Sequence, residues 1–140
     1  MTTAVRVVSP SKAINVTLWI AQALLAAMFV MSGLMKLATP IDQLAKMMPW
    51  AGQYSAGFVR FIGLVDLAGG IGIFLPALTR IKPHLTVLAA LGCTILQVFA
   101  IVFHFSRGEV MVLPVNVVLL GLSLFVFWGR SRKAPILPRN

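Results

Sequence analysis

Four apolar stretches, at 14–35, 58–75, 85–105 and 110–128, fill most of the chain and are separated by short polar connections. Each holds about 18–22 residues, and a hydrocarbon core of about 30 Å needs about 20 helical residues to cross it. A bilayer offers no water to backbone amides, so each stretch must close its hydrogen bonds internally as a helix. The pattern predicts an all-α integral membrane protein. Spans this closely connected make an antiparallel four-helix bundle.

The connections refine this picture. The longest, from Lys36 to Gly57, carries Ile41, Leu44, Met47 and Met48 at helical spacing, with Asp42, Gln43 and Lys46 elsewhere. It predicts a short interfacial helix between spans one and two, with Thr39 as N-cap and Pro40 in its first turn. Pro49-Trp50 ends it, and Trp50 and Tyr54 suit the headgroup level. Periodicity favours an interfacial connector here over a lid. Residues 76–83 form the second turn and Arg107-Gly108-Glu109 the third. Residues 1–13, with Arg6, Ser9, Pro10, Ser11 and Lys12, read as a flexible cytoplasmic lead, 14–128 as the four-span domain and 129–140 as a basic cytoplasmic tail. The first stretch is longer than a signal-peptide core, and Lys36 occupies the place where small residues precede cleavage, so the first helix is expected to stay.

Composition agrees: 59% of residues are hydrophobic and 11% charged, with a mean hydropathy of +0.96. The net charge of +9 would suggest nucleic acid in a soluble domain. Here the basic residues flank spans without a base-stacking platform, so the expected partner is the bilayer and not nucleic acid. Arg6, Lys12, Arg80, Lys82, Arg130, Arg132, Lys133 and Arg139 fall on the face that bears both termini. Lys36, Lys46, Arg60 and Arg107 fall on the other. The positive-inside rule then makes the termini cytoplasmic and the second face the outer one. Arg130, Arg132, Lys133 and Arg139 are expected to lie on anionic headgroups. Cys93, the single cysteine, excludes an internal disulfide and thiol redox work, and reads as a packing residue.

Polar groups within the spans are expensive and point to candidate chemistry. Gln22, Phe29, Gly33 and Lys36 fall within an arc of about 60° on the first helix, with Ser32 beside Lys36. Lys36 has two readings of equal standing, binding an anionic or carbonyl group and snorkelling to the surface. Arg60 and Asp66 on the second helix are about 9 Å apart along the axis and point about 120° apart, so each is expected to meet a neighbouring helix instead of the other. Asp66, near mid-bilayer, costs roughly 2.5–3.5 kcal/mol and must be protonated, hydrogen-bonded or paired. Gly69, Gly70 and Gly72 permit close packing. Gln97 and His104 share a face of the third helix; His104 suits either proton exchange or a helix C-terminus. His84 is about 30 Å from His104 at the other end of that helix, and no spacing supports a metal site. Glu109 is expected to pair with Arg107 or Arg60, and Asn116 with Ser123 marks one face of the fourth helix. Antiparallel geometry gathers Lys36, Arg60, Asp66, Gln97, His104 and Asn116 as a candidate ligand site in the outer half. The inner half is expected to hold Gln22, Ser123 and little else.

The stretches "FVMSGLMKL", "MPWAGQYSAGFVRFIGLVDLAGGIGIFLPALT", "VFHFSRGE" and "VNVVLLGLSLFVFWGR" resemble the DoxX-like family of small four-helix bacterial membrane proteins over about residues 15–130. Many relatives have glutamate where this chain has Asp66. The family takes its name from a subunit of an archaeal quinol-oxidising complex, so the resemblance implies a bacterial inner membrane and association with quinone or a redox complex. Other relatives resemble oxidative-stress accessories or assembly helpers. Three functions are therefore open: binding of a lipophilic, quinone-like molecule; an accessory subunit docked on an oxidoreductase partner or on further copies of itself; and a four-helix multidrug exporter. The exporter class carries its carboxylate in the first helix, and this chain has none there.

Overall fold

The computed structural model of the protein describes residues 11–139; the lead at 1–10 and Asn140 lie outside the described residues. Five helices follow one another: α1 Lys12–Ala38, α2 Ile41–Met47, α3 Ala56–Thr79, α4 His84–Ser106 and α5 Leu113–Trp128. Among the described residues four segments are long and apolar enough to cross a membrane: α1, α3, α4 and the stretch Val110–Lys133 that contains α5. No strand occurs among the described residues.

The spans are built inside out relative to a soluble bundle. Ile20, Leu24, Phe61, Leu64, Leu88, Val117 and Val118 face outward and exposed, as hydrocarbon solvent permits. Inward, α1 buries Leu18, Ala21, Gln22, Leu25, Phe29, Gly33 and Lys36, which contains the arc expected from the sequence. Close approach of α1 to α3 depends on glycine. A Cβ on Gly33 would stand 2.7 Å from the Gly63 carbonyl oxygen and from the Leu67 nitrogen, and one on Gly70 would stand 2.9 Å from the Val30 nitrogen. Membrane helices gain their affinity from such backbone contact, because lipid is as apolar as leucine.

Two apolar clusters share the interior. One joins Ala21, Leu25, Phe29, Ile73, Ala90, Cys93 and Val126 across α1, α3, α4 and α5. The other, around Leu44, Trp50, Ala51 and Val59, closes the end of the bundle at which α1 finishes.

Several local expectations are corrected. Thr39 is the C-cap of α1 and not the N-cap of α2, whose N-cap position is Pro40 and carries no side-chain bond. A short 3₁₀ turn, Pro49–Gly52, follows α2. Trp50 is buried instead of sitting at a headgroup surface, with edge contacts to Phe58, Phe103 and Tyr54. The α2 segment therefore covers the bundle end. Pro76 does not end the second span; α3 runs on to Thr79. The Gln22 amide donates to the Ile73 carbonyl at 2.8 Å, next to the Gly72 carbonyl that Pro76, having no N–H, leaves without its helical donor. Arg80 then caps α3 in the left-handed region, at φ 59°.

The tail is the largest correction. After α5 the chain makes a π-helical turn, Gly129–Lys133, and a side chain at Gly129 would collide with Leu18. Arg130 is buried and not laid on a headgroup surface. Its Nε donates to Gln22 Oε1 at 2.7 Å, and its Nη1 donates to Asn15 Oδ1 at 2.8 Å and to the Ala134 carbonyl at 2.9 Å. This end of the bundle thus holds Asn15, Gln22, Thr86 and Arg130, more than Gln22 and Ser123 alone.

Candidate functional site

Between the two clusters lies a cavity of about 470 Å³, within the size range of small-molecule pockets. Phe29, Leu96 and Leu119 form the side toward the larger cluster, and Met48, Trp50, Phe58, Ile62 and Phe103 form the covering side. Five of the six residues gathered from the sequence also line it: Lys36, Asp66, Gln97, His104 and Asn116. The sixth, Arg60, is not in the lining. Its Nη1 donates to the Lys36 and Thr39 carbonyls at 2.6 and 2.7 Å, so it satisfies the C-terminal carbonyls that α1 leaves unpaired.

The α1–α3 wall is charged. Lys36 Nζ lies 2.6 Å from Asp66 Oδ2 and donates to Ser32 Oγ at 2.7 Å. Ser32 in turn donates to Asp66 Oδ2 at 3.0 Å. Both charges are buried, so each is the other's counter-ion. Lys36 does not snorkel away; its ammonium closes a three-membered network at the cavity edge. As expected, Arg60 and Asp66 do not touch.

At the α4–α5 side, Glu109 Oε1 lies 2.7 Å from Arg107 Nε and 3.2 Å from His104 Nδ1. Partial burial pushes the Glu109 carboxyl up. The hydrogen bonds and charge of Arg107 and His104 outweigh this and hold it below the usual carboxylate range. Gly108, at φ 72°, makes the tight turn that folds Glu109 back onto His104.

Two amides, Gln97 and Asn116, also line the site. Gln97 is buried, and its Oε1 has no partner among the described residues; the same holds for Asn116 Nδ2. A buried amide group without a partner costs about 1–3 kcal/mol. Together they leave one acceptor and one donor without a partner among the described residues, in a cavity also lined by Phe29, Trp50, Phe58, Phe99 and Phe103. This arrangement suits a flat molecule with a carbonyl or hydroxyl edge and an apolar body. Among the described residues no three His, Cys, Asp or Glu side chains converge in a metal-holding group.

One feature escapes the sequence reading: Trp50 suits the headgroup level by its position but lines the cavity. Pro49 following an amphipathic turn was the one available signal for the cover. A profile of the DoxX-like family matches residues 20–126, which takes in all four spans and every lining residue named above. No curated protein and no solved structure matches the chain.

Proposed function

The chain belongs to the DoxX-like family of membrane proteins, and on that premise we propose that it binds a lipophilic, quinone-like molecule in the aromatic cavity and serves a membrane redox or oxidative-stress system. The carrying observation is the pair of amide atoms, Gln97 Oε1 and Asn116 Nδ2, that have no partner among the described residues, in a cavity whose remaining lining is aromatic and aliphatic apart from Ser32, Lys36, Asp66 and His104. They supply a donor and an acceptor, which suits both the oxidised and the reduced form of such a ligand. A bound quinone would supply the two-electron chemistry. The chain's own residues orient it, exclude water under the Trp50 cover and offer two protonatable clusters, Lys36–Asp66 and His104–Glu109, at the rim. In this reading the protein lies in a bacterial inner membrane with cytoplasmic termini, and the cavity opens in the outer half.

The exporter alternative has less support, because the first helix carries no carboxylate and Asp66, on the second span, is paired with Lys36. The test is ligand analysis. Protein purified from its own membranes should release an isoprenoid quinone on solvent extraction, near one per chain, and Gln97→Leu with Asn116→Leu should lose it while keeping a monodisperse fold. Equal retention by the double variant, or none by either protein, would remove the proposal. An accessory subunit would instead come out with an oxidoreductase and no ligand.

A further inference from the structure

Four buried side-chain polar atoms lack a partner among the described residues, and they divide evenly between the two ends of the bundle. Gln97 and Asn116 belong to the aromatic cavity. The other two atoms, Thr86 Oγ1 and Arg130 Nη2, belong to residues that line a separate cavity of about 200 Å³ at the opposite end. That volume is below the roughly 300 Å³ at which pockets begin to take drug-sized ligands. It suits a small ion.

The charge at this end is one-sided. A guanidinium presents five N–H donors, and those of Arg130 on Nε and Nη1 go to Gln22, Asn15 and the Ala134 carbonyl, all neutral acceptors. Its face stacks 5.1 Å from the Trp19 ring centre, which is also neutral. Arg130 is only 4% exposed, and a buried charge without a counter-ion is unstable. No carboxylate side chain is available to it: Asp42, Asp66 and Glu109 are the three in the sequence, and all lie at the other end or in the α1–α3 wall. The other charged residues at this end, Lys12, Arg80, Lys82, Arg132, Lys133 and Arg139, are all cationic.

The cavity also opens at the N-terminus of α4, where the helix dipole favours an anion. Thr86 is 1% exposed and carries a hydroxyl donor with nothing to donate to, while His84 stands at the rim. The outer wall is the returning tail, Pro135 to Pro138. Its position is fixed by Arg80, whose Nε donates to the Leu137 carbonyl at 2.9 Å and whose own carbonyl accepts from Arg139 N at 3.0 Å.

We propose that this second cavity binds a phosphate-type oxyanion, held by Arg130 Nη2 and Thr86 Oγ1 at the α4 N-terminus, which supplies the counter-charge that the fold itself withholds. Such an oxyanion comes either from a phospholipid headgroup or from solution. The site shares no residue with the aromatic cavity, so it stands or falls independently of the quinone reading.

The experiment uses the full chain in detergent, compared with Thr86→Val and Arg130→Gln, after exhaustive delipidation. Native mass spectrometry is then run against phosphatidylglycerol and phosphatidylcholine, and thermal unfolding is followed in inorganic phosphate against chloride at equal ionic strength. Retention of a phospholipid by the wild type assigns a headgroup as the source; stabilisation by inorganic phosphate with no retained lipid assigns a soluble anion. In either arm Thr86→Val should bind about tenfold more weakly or worse, from the loss of one hydrogen bond to a charged group. Because Thr86 Oγ1 bonds to no described residue, this variant should fold as well as the wild type in chloride, which keeps the test intact if Arg130→Gln does not fold. Binding of neither probe by the wild type, or equal binding by Thr86→Val, would overturn the proposal.

Discussion

Neutralising the Lys36–Asp66 pair one member at a time separates the structural from the ligand-binding role of the charged wall. At 2.6 Å and an effective dielectric near 20, the Coulomb attraction is about 6 kcal/mol. Desolvation of two ions, at several kcal/mol each, offsets most or all of it. The net worth of the pair is therefore small, but removing one partner strands the other. Lys36→Met leaves the Asp66 carboxylate near mid-span, where it has no reach to water, and should cost about 3–5 kcal/mol. Asp66→Asn should cost less, because an ammonium in the last turn of α1 can extend to the interface, and Ser32 can still donate to the amide that replaces the carboxylate. The double substitution should recover to within about 1 kcal/mol of wild type, a coupling of at least about 2–4 kcal/mol. Reversible unfolding of the four proteins in mixed micelles, followed by circular dichroism, reads these values. Additive losses would mean that the pair is not formed. Quinone binding by the same proteins should remain weakened in the double variant. Binding that recovers in step with stability would reduce the pair to a clamp between α1 and α3.

Three further outcomes follow from the geometry. Gly33→Ala drives a methyl into α3 backbone and should cost about 1–3 kcal/mol by overpacking; Gly92→Ala, with open space around it, should be neutral in the same unfolding assay. Because the Glu109 carboxyl is held below its usual range, its contribution is present above the unfolded value of about 4.3 and is lost as pH falls through the lower folded value. Glu109→Gln should remove that acid-limb slope from the unfolding midpoint measured against pH, and an unchanged slope would contradict the assignment. Topology reporters fused after the tail and within 40–53 should lie on opposite sides of the membrane, since the basic residues crowd the tail end of the bundle; the same side for both would remove the four-span arrangement.

The half of the bundle that carries the cavity was legible because antiparallel spans and helical phase determine both depth and face. Gln97 and His104, seven residues apart, had to share a face, and the direction of each span put Lys36, Asp66 and Asn116 at matching depth. Arg60 had the right depth and the wrong target: phase gives the direction of Cβ, and a long guanidinium reached back to the α1 carbonyls. The lining of the cover was hidden for a related reason. An amphipathic turn with Trp50 reads identically whether its apolar side meets headgroups or a bundle end. Arg130 was illegible because it follows Trp128 as the first of four basic residues in the tail, and only the π-helical turn and the returning chain at 134–139 bury it. A buried arginine whose partners are an asparagine, a glutamine and a carbonyl leaves no charge pattern in a sequence.

The central claim, that the aromatic cavity binds a quinone, is tested most directly through Trp50. It is the one tryptophan of three that lines the cavity, so replacing Trp19 and Trp128 by Phe leaves its emission as the signal. In nanodiscs, titration with a short-chain quinone should quench that emission saturably, with about one site per chain, and Gln97→Leu with Asn116→Leu should abolish the saturable part. Quenching that rises linearly with quinone in the membrane, unchanged by the two substitutions, would show partition into lipid alone and contradict the account.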